Sequence, residues 1–224
     1  MDQYYSDKLS AKELKKCYDI APPRTQQYLE AEIQFVLEHV NLDDSVIELG
    51  CGYGRVLKPI TALCEQVTGI DTSFDSLLMA RGFLWPRRGV QLVQMNAGIL
   101  AFPDKHFDLV LCIQNGISAF KVNPLQLMSE SIRVTRSGGI CLFSSYSDKF
   151  WDSRLDWFRL QSEEGLLGEI DWSKTKDGVI VCKDGFRATT FGSDDFSKLT
   201  DILGVESQIT EVDESSIFCK IQVE

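Results

Sequence analysis

Twelve residues constrain this chain more than any others: Val46-Ile47-Glu48-Leu49-Gly50-Cys51-Gly52-Tyr53-Gly54-Arg55-Val56-Leu57. A short β-branched apolar run stops at an acid, a glycine-rich turn follows, and apolar residues resume at helical spacing. That pattern reads as strand, tight turn and helix. Glycine lets the backbone take positive φ and lets a ligand approach where a Cβ would collide. Seventeen residues past Gly54, after a second apolar run over 66–70, stands Asp71. A carboxylate there is placed to accept hydrogen bonds from ribose hydroxyls. Together these features describe a nucleoside site at the carboxyl edge of a parallel sheet.

Glu48 narrows the choice of nucleoside. A dinucleotide brings a pyrophosphate to such a turn, and a carboxylate two residues before the first glycine opposes it. S-adenosylmethionine instead carries a sulfonium and an ammonium. Opposite charges a few Å apart and partly out of water attract by ~4 kcal/mol at an effective dielectric near 20. The spacing is Gly-x-Gly-x-Gly, without the third glycine of the hydride-transfer fingerprint. This stretch resembles motif I of the class I S-adenosylmethionine-dependent methyltransferases. The resemblance continues through Asp71, the segment 96–110 and the strand ending near Tyr146, roughly half the chain.

It implies an α/β, Rossmann-like, doubly wound seven-stranded sheet of order 3-2-1-4-5-7-6 with the last strand antiparallel. It also implies S-adenosyl-L-methionine as cofactor, held by Glu48, Gly50, Cys51, Gly52, Gly54, Asp71 and Thr72. Asn96, Ala97 and Gly98 stand where the family's acidic loop meets adenine. Asn96 replaces the usual Asp, and its carbonyl oxygen retains the accepting role without the charge. Ile113 and Gln114, just past the fourth strand, are expected to border the sulfonium. Gln114-Asn115-Gly116-Ile117 lacks the Asn/Asp-Pro-Pro-aromatic clamp of members that methylate exocyclic amines of nucleobases.

Composition restricts the partners. The formal charge is −10 and no Lys/Arg run occurs, which disfavours nucleic acid, whose affinity comes mainly from phosphate neutralisation. With no apolar span of membrane length and a polar start, a cytoplasmic protein without membrane association is expected, monomeric or homodimeric. Seven cysteines lie without a Cys-x-x-Cys pair and read as reduced thiols. With two distant histidines, no metal site is expected.

Along the chain, the elements form a single methyltransferase domain, 1–224. Residues 1–40 make an N-terminal helical cover, with Pro22-Pro23 opening its longer helix. Its Tyr4, Tyr5, Tyr18 and Arg24 read first as a packing arm. The alternative is a lid over the methionine end of the cofactor, with Arg24 pairing to its carboxylate beside a tyrosine such as Tyr5. A helix is predicted over 55–63. After the fifth strand, 147–192 form an inserted antiparallel cap, with a helix over 150–161 and short strands over 168–172, 179–183 and 186–191. A helix from Asp194 and a closing hairpin complete the sheet.

Methyl transfer needs alignment and exclusion of water more than a catalytic triad, and none is visible. Tyr146, Asn115 and Trp151 are the candidates for touching an acceptor. Trp157, Trp172 and Phe186 either wall a pocket or fill the cap's own core. The leading reading is transfer of a methyl group from S-adenosylmethionine to a small molecule. The alternatives are a cofactor-binding protein of the same fold without transfer, a protein methyltransferase, and an NAD-dependent oxidoreductase, which Glu48 and the missing third glycine oppose.

Overall fold

The computed structural model describes residues 4, 8–87 and 89–224. The chain enters through two helices, α1 (Ala11–Asp19) and α2 (Pro23–Leu37). Then β1 (Ser45–Leu49), α3 (Leu57–Ile60), β2 (Gln66–Asp71), α4 (Phe74–Phe83), β3 (Val90–Gln94) and β4 (Phe107–Cys112) alternate. After α5 (Gly116–Ala119) and α6 (Pro124–Val134) comes the long β5 (Thr135–Tyr146). A 3₁₀ turn (Asp148–Phe150) leads into α7 (Trp151–Glu163), followed by β6 (Ile180–Val181) and β7 (Arg187–Ala188). The chain closes with α8 (Ser193–Leu203), β8 (Ser207–Val212) and β9 (Ser216–Gln222).

Seven strands form one sheet in the order β3-β2-β1-β4-β5-β9-β8, while β6 and β7 pair separately. Counted within the large sheet, this is the expected 3-2-1-4-5-7-6. The pairs from β3 to β5 are parallel, and β9 runs antiparallel to both β5 and β8. The order reverses between β1 and β4, so a switch-point crevice opens beyond their carboxyl ends.

Both sheet faces are covered, which explains why β1 is buried along its whole length and reads as an apolar run. One face packs Ile47, Leu49 and Val110 against Leu127 and Met128 of α6 and Phe196 of α8. The other packs Val46, Val67 and Leu109 against Ile33 and Val36 of α2, Leu57 and Ile60 of α3, and Leu77 and Ala80 of α4. A third apolar cluster joins Cys17 and Tyr28 of the entering helices to Tyr146, Trp157, Phe158 and Phe186.

Two sequence-based boundaries differ from the structure. The helix expected over 55–63 shrinks to the single α turn 57–60 between looser turns. Pro59 is the reason, because its ring opposes the carbonyl four residues earlier and is tolerated only in a first turn. The strand expected over 168–172 reduces to one bridge, Ile170 to Cys182. Among the described residues, no helix is long and apolar enough to cross a membrane.

Candidate active site

The glycine turn is held open by its neighbours. Gly50, Gly52 and Gly54 all take positive φ (72°, 52° and 88°). The Cys51 N–H donates to the Ile70 carbonyl at 2.9 Å, tying the turn to β2. Asp71, at the end of β2, completes the tie. Its Oδ2 accepts from Gly52 N–H at 2.9 Å and its Oδ1 from Ser73 N–H at 2.8 Å. Asp71 therefore shapes the turn and still presents lone pairs to a ligand. A Cβ on Gly50 would collide with the Phe120 ring, so this glycine is required by space as well as by φ.

A cavity of about 550 Å³ opens here, within the range of small-molecule sites. One end is polar and is lined by Glu48, Gly50, Asp71, Thr72, Asn96 and Gln114. Glu48 is 5% exposed, and its Oε2 has no hydrogen-bond partner among the described residues. Burial is the main reason its carboxyl is pushed up to about 8, with the Arg55 guanidinium opposing the shift and Asp71 adding to it. Burial also raises Asp71, against the pull of its backbone N–H donors.

The other end is apolar and ring-lined: Tyr18, Tyr28, Tyr146, Trp157, Phe158 and Phe186. Between the two ends stands Gln114, whose backbone is left-handed (φ 54°), as is that of Asn115 (φ 60°). Consecutive non-glycine residues in that region are held only where surrounding bonds over-determine them. Here Ser144 Oγ accepts from Gln114 N–H at 2.8 Å and donates to Glu32 Oε1 at 2.5 Å. Ser145 Oγ donates to Asn115 Oδ1 at 2.8 Å. The paired serines at the end of β5 thus fix the crevice geometry of β4.

α1 covers the mouth. Its Leu14 lies where a Cβ on Gly52 would fall. Ala11 N–H donates to Ser76 Oγ of α4 at 2.9 Å, and Trp157 Nε1 donates to the Cys17 carbonyl at 2.8 Å. Tyr4 Oη donates to Asp184 Oδ2 at 2.7 Å, and Lys16 pairs with Glu164 at 2.8 Å. The N-terminal segment therefore bridges from α4 to the 148–192 region.

Of the residues singled out from the sequence, Glu48, Gly50, Asp71, Thr72, Asn96, Ala97, Ile113, Gln114 and Tyr146 line this one cavity. Cys51, Gly52, Gly54 and Gly98 shape the loops behind it. Asn96 Oδ1 accepts from Gly98 N–H at 2.8 Å, closing the loop as an Asx turn while leaving the oxygen a second lone pair. Three expectations are corrected. Arg24 does not point to the cavity: it pairs with Asp213 Oδ2 and with the Asp213 carbonyl, each at 2.6 Å. Asn115 is spent inside the protein, its Nδ2 donating to the Thr189 carbonyl at 2.9 Å. Trp151 packs beside Arg154 instead of lining the cavity. Trp172 is 58% exposed, and Tyr5 lies outside the described residues.

Sequence reasoning missed Phe120 and Gln161. Gln161 had a legible signal, since it follows Trp157 by one helical turn and therefore shares its face.

Residues 47–143 match the family model described as a methyltransferase domain. Over 139 residues the chain is 29% identical to a probable methyltransferase, ltbC, of Aspergillus luteorubrus, covering 56% of this chain and 49% of that protein. It is 32% identical over 118 residues to a fatty-acid O-methyltransferase of Mycolicibacterium smegmatis, covering 47% and 38%. The chain thus spans half or less of the length of these curated relatives. The crystal structure of PH0226 protein from Pyrococcus horikoshii OT3 matches all of both chains with a TM-score of 0.67 at 20% identity, a likeness of fold. Fold, glycine turn and family model agree: residues 47–143 form a methyltransferase domain of the class I, S-adenosylmethionine-dependent kind.

Proposed function

We propose that this protein transfers a methyl group from S-adenosylmethionine to a small-molecule acceptor. The observation that supports this most is the continuity of the cavity. A polar end carrying carboxylates and a ring-lined end share one cavity, with Gln114 at their junction.

The residues present suit the cofactor. The unpartnered, buried Oε2 of Glu48 suits a cationic group, because an isolated carboxylate there lacks compensation. Asp71 and Thr72 suit ribose hydroxyls, and the Asn96–Ala97 loop suits adenine. When bound, S-adenosylmethionine supplies a methyl group on a sulfonium, which needs no further activation. The chain's own contribution is then positional. Gln114 and Ile113 define the junction, and α1 with Trp157 excludes water from it. No side chain in the cavity is required as a nucleophile, since the acceptor provides one. The relatives' names include transfer to a fatty acid, which supports a small organic acceptor over a macromolecule, as does a cavity of small-molecule size.

Calorimetric titration with S-adenosylmethionine and, separately, with NADH tests the cofactor. Binding of the first alone, at micromolar affinity or better, is expected. Binding of NADH alone overturns the reading.

A further inference from the structure

The ring-lined end holds more chemical information than its apolar character. The residues lining it, Tyr18, Tyr28, Tyr146, Trp157, Phe158, Gln161 and Phe186 among them, include no charged side chain. The cations that approach these rings are not among the residues lining the cavity. The Arg55 guanidinium lies 4.9 Å from the Tyr18 ring centre. Arg154, 1% exposed, lies 4.2 Å from Tyr146 and 5.4 Å from Phe158. Arg154 is also bound to the Gly178 carbonyl and to Thr190 Oγ1, at 2.9 and 2.7 Å. These rings already face a cation, so they are poor hosts for a second one. Neither guanidinium is among the residues lining the cavity, so an anion there meets no lining side chain that neutralises it.

Besides the tyrosine hydroxyls, two side-chain amides line this volume. Gln161 is 3% exposed, lines the cavity, and makes no side-chain hydrogen bond to another described residue. Gln114 gives its Oε1 to the Tyr18 hydroxyl at 3.0 Å, which leaves its Nε2 buried and without a partner. Buried amides in that condition carry a desolvation cost that a ligand relieves. One stands at the junction with the polar end and the other on α7, beside Trp157.

We infer that the acceptor is an uncharged aromatic molecule with oxygen functions at two ends, one received by Gln114 at the junction and the other by Gln161 among the rings. This rests on the methyl-transfer reading. Rings stack favourably on rings, while each amide reads one oxygen, so Gln161 acts as a specificity-determining residue.

The test is calorimetry on the full chain saturated with S-adenosylhomocysteine. The probes are para,para-biphenol, with two hydroxyls, para-phenylphenol, with one, the anion laurate and the cation phenethylammonium. Biphenol should bind about tenfold tighter than either ion, and about fivefold or more tighter than phenylphenol, the advantage of one satisfied buried polar group. In Gln161→Leu that advantage over phenylphenol should vanish while S-adenosylhomocysteine affinity is kept. Gln161→Met serves as the second variant should the first fail to fold. Laurate or phenethylammonium binding as tightly as biphenol overturns the inference, as does a biphenol advantage that survives both substitutions. S-adenosylhomocysteine binding without binding of either phenol overturns the inference alone. Failure of S-adenosylmethionine and S-adenosylhomocysteine to bind at all overturns the methyl-transfer reading beneath it.

Discussion

The Tyr18 hydroxyl donates to Gln114 Oε1 at 3.0 Å, joining residues ninety-six positions apart. One belongs to the helix covering the mouth and the other to the switch point of the sheet. The cover is therefore seated on the residue that divides the cavity, and several expected outcomes follow from how each end is built.

Asp71 holds Gly52 and Ser73 through separate oxygens. Asp71→Ala frees both N–H groups and removes the ribose acceptor. S-adenosylmethionine affinity should fall by about 1–3 kcal/mol, the range for hydrogen bonds to a charged group, as read by calorimetry. Unchanged affinity in a folded variant would remove Asp71 from the site.

The acid-base behaviour of the polar end has a definite sign. The folded-state value of Glu48 is raised, by burial, from 4.5 to about 8. The folded protein thus holds this proton more tightly than the unfolded chain does. Its contribution to stability is complete below the ordinary glutamate range and is lost as pH rises through about 8. Glu32 and Asp71, raised by the same cause, act in the same direction. The urea midpoint of the ligand-free protein should decline over this window, and Glu48→Gln should flatten the decline. S-adenosylmethionine affinity should rise over the same window as the carboxylate forms. An identical slope in the glutamine variant would show that Glu48 does not titrate there.

Asn115 bridges Ser145 and Thr189 from a left-handed backbone. Asn115→Gly keeps that backbone accessible and deletes both bonds. Stability should drop by about 2 kcal/mol in urea denaturation, with S-adenosylmethionine affinity unchanged within error. A selective loss of turnover with full stability would instead place Asn115 against the acceptor.

Gly50→Ala places a methyl against Phe120 at a φ of 72°. Overpacking of this kind costs about 1–3 kcal/mol, with about 1–2 more for left-handed backbone. The melting temperature should fall and cofactor binding should weaken together. Relief of only the packing part is expected on adding Phe120→Leu.

Arg24 and Asp213 are joined by a partly buried, two-pronged contact. Arg24→Ala should cost about 1 kcal/mol of stability and leave S-adenosylmethionine affinity untouched. A clear loss of affinity would restore Arg24 to the cofactor's carboxylate.

The sheet was legible because burial on both faces writes itself as continuous apolar runs, as in 45–49 and 107–112. The glycine turn and Asp71 were legible because backbone φ and a lone carboxylate leave few alternatives. Pro59 was equally legible but outweighed in reading by the apolar spacing around it. The destination of Arg24 was not, since Asp213 lies far along the chain and nothing local couples the two. Likewise, whether Trp151 or Trp157 faces the cavity depends on how α7 is rotated against α2. That rotation is fixed by the Tyr28–Phe150 contact, with ring centres 4.9 Å apart, and not by periodicity within α7.

The residues that wall the ring-lined end come from 9–29 and 146–186, both outside the matched segment 47–143. The glycine turn, Asp71 and Gln114 all lie within it. One half of the cavity therefore lies outside the matched segment, while the other is pinned by backbone geometry. Grafting 9–29 and 146–186 together from another member of the fold should exchange what the ring-lined end accepts without rebuilding the polar end, whereas grafting 146–186 alone would put at risk the Trp157 bond to the Cys17 carbonyl that spans them.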